Sequence, residues 1–321
     1  MCTCEPLVDI ENLHNRFSYK LYGIIIHMMI TKIITQALKP FQLASLTMTY
    51  FLGAGLVQYV RGMRSWSMMF EGYVFLLFLV ISTEIIRMSE YLRDREHWLE
   101  GMQERQIKQV RWILLSITAT FLTVVTTLFV GWMMQGVLWQ GLTLLLIAFI
   151  VACIGYFLMH FLDSNHLLHL FLETILYLML PPAVAFFLQS SDLHSFLTMI
   201  VMCLVPGYVA YHLLIQLRQY GVDRKAGSKT IAVEVGWEKT MVFHNALLLL
   251  MYLLFALITL IGFPWFLIWP AFLTLPIGLV EIWLIERTRK GGKPLWRVMQ
   301  LATALVIFFP IYIIGFAFWV R

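Results

Sequence analysis

Residues 139–161 read WQGLTLLLIAFIVACIGYFLMHF, with no Asp, Glu, Lys or Arg in the stretch. A helix of about 20 apolar residues crosses a hydrocarbon core ~30 Å thick. The run is continuous rather than alternating, so it reads as a transmembrane helix and not as a barrel strand. Similar stretches lie on both sides of it, at 41–60, 67–86, 112–133, 168–189, 196–217, 241–261, 265–285 and 296–320. Several open or close on Trp, as an interfacial belt does. The expected fold class is all-α, a polytopic membrane bundle of nine transmembrane helices.

Composition agrees. The 321 residues are 60% hydrophobic and 13% charged, with a mean hydropathy of +0.81. Soluble domains are about 45–50% apolar and about 25% charged. That excludes an ordinary water-soluble fold and a disordered one. The net charge of +5 points to basic loops rather than to nucleic acid. Twenty of the 23 Lys and Arg fall before span 1 or after spans 2, 6 and 8, and none lies from Trp112 to Leu217. The positive-inside rule then gives an N-in, C-out chain with these loops cytoplasmic.

Residues 1–38 form a separate N-terminal segment, and 39–321 the membrane domain. Within the former, 19–38 is apolar but carries Lys20, His27 and Lys32, as an interfacial amphipathic helix would. Glu5, Asp9, Glu11 and Arg16 argue against a cleavable signal peptide. Cys153 and Cys203 fall inside apolar runs and read as packing residues; Cys2 and Cys4 are too weak a pattern for a metal site.

Two connections are long and charged, 87–111 and 218–240, and on one face of a bundle these are the natural place for polar chemistry. The second opens LRQYGVDRKAGSKTIAVEVG, residues 217–236. Read alone, Asp223 is a helix cap or an ion-pair partner of Arg224 or Lys225. Gly227-Ser228-Lys229-Thr230 lacks the upstream glycines of a nucleotide-binding phosphate loop. His160, Asp163, His166 and His169 recur every third residue through a stretch that looks like a turn, so they read as interfacial polar residues. Glu84 and Glu173 are intramembrane acids, which are costly to bury and functional suspects for that reason. Glu84 has Arg87 as a ready partner.

The 217–236 stretch resembles the second signature of the UbiA superfamily of intramembrane prenyltransferases, R-D-x-x-x-D-R-x-x-G-x-x-T-L-A-V-x-x-G. Arg218, Asp223, Arg224, Gly227, Thr230, Ala232, Val233 and Gly236 match in register, and Gln219 replaces the first aspartate. Lys39-Pro40-Phe41 with Gly53 resembles the opening of the family's first helix. Glu173 sits where the 1,4-dihydroxy-2-naphthoate (menaquinone) branch carries Gly-Glu, with Leu172 in place of the Gly. The first signature, N-D-x-x-D-x-x-x-D, is degenerate here. The best register starts at Ser89-Glu90 and puts Arg93 on the second aspartate, with Asp94 one residue late; another starts at Glu84.

The resemblance implies a nine-helix bundle around a central apolar cavity for an isoprenoid tail. It implies Mg²⁺ bridging carboxylates to a prenyl diphosphate, and an aromatic acceptor. On this chain the catalytic and metal residues would be Asp223, Glu90 and Asp94. Arg218, Arg224, Lys229 and Lys39 would bind the diphosphate, and Glu173, Asn165 and Tyr220 would line the cavity. Glu90 and Asp94 share a helix face at i,i+4. They also belong to a run where acids alternate with Arg93, Arg95, Arg105 and Lys108, the pattern of a salt-bridged helix in water. The alternative function is a silenced relative, a structural or isoprenoid-, quinone- or pigment-binding subunit of a larger membrane complex.

Overall fold

The computed structural model describes residues 39–94, 104–161, 166–191 and 194–320. The N-terminal segment 1–38 lies outside them, and so does Asn165. Among the described residues every element is helical. We label them α1 (Pro40–Arg61), α2 (Trp66–Asp94), α3 (Glu104–Met134), α4 (Gln140–Phe161), α5 (His166–Phe187), α6 (Ser195–Lys225), α7 (Ile231–Val235), α8 (Trp237–Leu260), α9 (Trp265–Arg289) and α10 (Trp296–Val320). All but the short α7 are long and apolar enough to cross a membrane, nine in all among the described residues. The nine expected spans each fall on one of them.

The largest departure is at the two charged connections. Each is in good part helix. α2 continues to Asp94 and α3 begins at Glu104, while α6 runs on to Lys225. Asp223 and Arg224 therefore occupy the last turn of a 31-residue helix. Hydropathy ends where the hydrocarbon ends, but backbone hydrogen bonding does not. Polar residues of good helix propensity carry the rods into the aqueous layer.

Consecutive rods run antiparallel, so one end of the bundle gathers Lys39, Arg87, Arg111, His166, Arg224 and Arg289; we call it the basic end. α1 packs against α5 and α10, α2 against α3, and α6 against α8. One apolar core runs through the bundle, and two small clusters sit at the basic end. One, with Ile85, Leu92, Ile107 and Leu114, locks α2 to α3. The other, with Leu214, Leu217, Met241, Leu284 and Met299, joins α6, α8, α9 and α10. Trp112, Leu144, Leu253 and Leu301 stand exposed on the outside, a surface suited to lipid tails.

The prolines leave distinct marks. Before Pro181-Pro182 the helix widens into a π turn, Ile175–Met179, where Leu180 N–H reaches Ile175 O. A proline lacks an N–H and crowds the carbonyl four residues back, and the wider turn relieves both. Around Pro270 the chain tightens to a 3₁₀ stretch, Trp269–Thr274. Pro206 and Pro310 sit inside unbroken helices.

Candidate functional site

The deepest concentration of polar side chains lies just inside the basic end, between α1, α2, α4, α5 and α6. Glu173 is its hub. The carboxylate is 3% exposed, yet four groups converge on it. Gln42 Nε2 donates to Oε1. Lys39 Nζ lies 3.6 Å from the same oxygen. His212 Nδ1 is 3.5 Å from Oε2 and His169 Nδ1 is 3.8 Å from it. Lys39 also donates to the Tyr156 hydroxyl at 2.5 Å.

A second carboxylate sits close by. Glu84, buried on α2, accepts from Arg87 one turn later and from the Tyr177 hydroxyl at 3.0 Å. The Arg87 guanidinium lies 5.9 Å from the Tyr156 ring centroid and Lys39 Nζ lies 5.2 Å from it. Two cations thus flank one tyrosine, Lys39 at its hydroxyl and Arg87 near its ring. The sequence makes this possible through spacing alone. Lys39 and Gln42 are i,i+3, Glu84 and Arg87 are i,i+3, and His169 and Glu173 are i,i+4, so each pair shares one helix face.

The residues singled out from sequence separate into those that join this cluster and those that do not. Lys39 and Glu173 are in it. Glu90 turns to α3, where Arg111 Nη2 is 3.8 Å from Oε1. The Asp94 side chain is outside the described atoms. Arg218 is exposed and donates to Gln300 Oε1 of α10 at 2.9 Å. Asp223 is half-buried beside His166 and Thr230. Arg224 and Lys229 are exposed, and Tyr220 packs its ring 5.3 Å from that of Trp237. Gln42, Tyr156, Tyr177, Tyr208 and His212 gave no signal of their own, because a lone polar residue in an apolar run is usually a packing residue. Of the two registers for the first signature, the one starting at Glu84 is the one that faces inward.

The signature segment owes much of its pattern to backbone shape. Gly227 has φ +71° and ends α6. Its N–H reaches Arg224 O at 3.4 Å, and Ser228 N–H reaches Asp223 O at 2.9 Å. That paired closure is a Schellman cap, which needs a left-handed residue at this place. Ala232 is fully buried, and its N–H donates to Gln216 Oε1 at 3.2 Å. Gly236, φ +94°, turns the chain from α7 into α8. Ile231 and Val235 border a cavity of about 600 Å³ that Lys239, Phe243 and Arg289 also line. The segment is thus folded onto the bundle at its basic end.

Mg²⁺ asks for several oxygen ligands in near-octahedral order. Among the described residues no three of His, Cys, Asp and Glu come together as a metal site. Glu84 faces Arg87, Glu173 faces Lys39, Glu90 faces Arg111, and Gln219 is a neutral, exposed amide. The described side chains do not fit a magnesium centre.

No family model matches the chain, and neither does any curated protein. Among solved structures the fold is similar to that of a UbiA homolog from Archaeoglobus fulgidus bound to GPP and Mg²⁺. The TM-score is 0.50 at 15% identity, over 89% of this chain and 99% of that one. At that identity the likeness shows the fold: a UbiA-like helical membrane bundle.

Proposed function

We propose that this chain moves a prenyl group from a prenyl diphosphate to an aromatic acceptor, at the polar cluster of the basic end. The observation that carries this reading is the pair of cations at Tyr156, Lys39 on its hydroxyl and Arg87 near its ring, inside a bundle of UbiA shape. A diphosphate is a multiply charged anion, and Lys and Arg are its natural donors. Arg218, Arg224 and Lys229 on the rim would raise its local concentration. The apolar interior would house the tail and keep water from an allylic cation. The 1,4-dihydroxy-2-naphthoate branch supplies the acceptor class nearest in pattern, through Glu173. In this reading the chain is an integral membrane protein with its basic end in the cytoplasm.

The test is turnover. Purified protein in detergent is given radiolabelled geranyl, farnesyl and geranylgeranyl diphosphates with hydroxybenzoate and hydroxynaphthoate acceptors, with and without Mg²⁺. A prenylated acceptor that disappears in Lys39→Ala is the expected result. No product with any pair would overturn the reading.

One observation favours a second reading. Both carboxylates of the cluster already face the chain's own cations, and Gln219 and Arg93 stand where the resemblance would put acids. A retained scaffold that binds a neutral isoprenoid, quinone or pigment inside a larger membrane complex would look like this. Co-purification of such a lipid without turnover would select it.

A further inference from the structure

Two buried polar atoms in the cluster have no hydrogen-bond partner: the Tyr208 hydroxyl and His212 Nε2. Both belong to α6, one turn apart, with ring centroids 4.7 Å from each other. Tyr208 is fully buried and His212 is 7% exposed. Buried polar groups are nearly always paired, and leaving one unpaired costs stability. Two orphans side by side at the hub of the candidate site call for a partner that the chain itself does not supply.

Glu173 determines what kind of partner. Gln42 Nε2 donates to it and Lys39 Nζ faces it, so it is a carboxylate ringed by donors. Facing His212 Nδ1 at 3.5 Å, it holds the proton of that imidazole on Nδ1. Nε2 is then a bare acceptor. Tyr208 O–H can donate to the same incoming atom. A hydroxyl satisfies both orphans, giving its proton to Nε2 and accepting from Tyr208. A carbonyl or ether oxygen satisfies Tyr208 alone. The surroundings are aromatic: Phe41 stacks on Tyr211 at 3.4 Å and lies 5.7 Å from Tyr208 and 6.2 Å from His212. Such walls suit a flat ring.

We infer that His212, oriented by Glu173, is a specificity-determining residue that reads the hydroxyl proton of an aromatic ligand, with Tyr208 as the second partner. This rests on the reading that an aromatic molecule enters the polar cluster. It does not require that the molecule be turned over.

The full chain in detergent micelles is titrated with 2-naphthol, 2-methoxynaphthalene and naphthalene, and binding is read by calorimetry. The three probes share a ring system and differ in what they offer the orphans. Wild type is expected to bind 2-naphthol about tenfold more tightly than 2-methoxynaphthalene. His212→Phe is expected to erase that preference while leaving naphthalene affinity unchanged. Tyr208→Phe, nearly isosteric, tests the site even where His212→Phe does not fold. It is expected to weaken 2-naphthol and 2-methoxynaphthalene about threefold and naphthalene not at all. Equal affinity for 2-naphthol and 2-methoxynaphthalene in wild type would overturn the inference, and so would a preference that survives in His212→Phe. In either case a buried water would be the partner. A hydroxyl preference without any prenyl transfer sinks the proposed activity and leaves this site standing. Transfer without the preference does the reverse.

Discussion

Tyr177 on α5 donates its hydroxyl to Glu84 Oε1 of α2 at 3.0 Å, while Arg87 holds the other oxygen of the same carboxylate. The acid is thereby fixed from two helices in a part of the bundle where solvent does not reach it. Removing the cation leaves the carboxylate buried and uncompensated, which is the costly half of breaking an ion pair. Arg87→Ala is expected to lower stability by about 3–5 kcal/mol, read as a fall in unfolding temperature in detergent. Replacing both partners, Glu84→Gln with Arg87→Met, is expected to recover most of that loss. If the double variant is no better than Arg87→Ala, the pair is not the source of the effect.

A second expectation comes from a close backbone approach between α1 and α5. A Cβ built on Gly53 of α1 would lie 2.2 Å from the Pro182 carbonyl oxygen of α5. Backbone atoms cannot swing aside, so Gly53→Ala must push α1 off the proline segment and loosen the wall that carries Lys39 and Gln42. Gly315 on α10 is a control, since its nearest neighbour would be a Leu52 side-chain atom at 3.8 Å, an ordinary contact. Gly53→Ala is expected to cost about 1–3 kcal/mol as an overpacking change, and Gly315→Ala to be neutral or mildly stabilising through helix propensity. Thermal unfolding of the two variants side by side decides it.

How far sequence carries the structure can be judged from these same residues. The nine rods were legible because each span is a continuous apolar run, and burial in hydrocarbon forces its backbone into a helix. Gly53 and Gly227 were legible as positions, through a resemblance, but not as causes. Only coordinates reveal that one meets a proline backbone and the other closes a helix with a left-handed turn. Glu173 and Lys39, expected to line the cavity and to bind the diphosphate, meet in the interior cluster. Glu90 takes the first signature's acid in the better sequence register, and register alone does not say which face of the helix turns inward. In the fold, polarity of neighbours marks the aqueous rim, and the isolated acid in an apolar run is the one that faces in. Tyr208 and His212 were invisible for the same reason. His212 meets Glu173 of α5 and Tyr208 lies beside Phe41 of α1, and no local spacing encodes either meeting.

A second buried polar knot lies on the other side of the bundle, where no signature motif points. His244 Nε2 of α8 is 3.2 Å from Glu281 Oε1 of α9, both wholly buried. Thr303 of α10 donates to the same oxygen. Three helices meet at one carboxylate. Thr303→Val keeps the shape and removes one donor, and is expected to cost about 1–2 kcal/mol. Glu281→Leu removes the carboxylate that faces His244 and accepts from Thr303, and is expected to cost more. Neither change should alter binding of aromatic probes at His212, because the two knots share no residue. A binding defect in Thr303→Val would show that the halves of the bundle are coupled.

The N-in, C-out orientation expected from charge is open to direct measurement. Twenty of the 23 Lys and Arg fall before span 1 or after spans 2, 6 and 8, and the positive-inside rule expects such an excess on the cytoplasmic side. Lys229 is exposed just beyond α6 at the basic end, and Gln135 is exposed beyond α3 at the opposite end. Cys153 and Cys203 are buried, so in a background lacking Cys2 and Cys4 a new surface cysteine is the reactive one. Gln135→Cys is expected to react with a membrane-impermeant maleimide added to intact cells. Lys229→Cys is expected to react only after the membrane is opened. The opposite pattern would put the basic end outside, away from any cytoplasmic supply of a diphosphate, and the proposed prenyl transfer would lose its substrate.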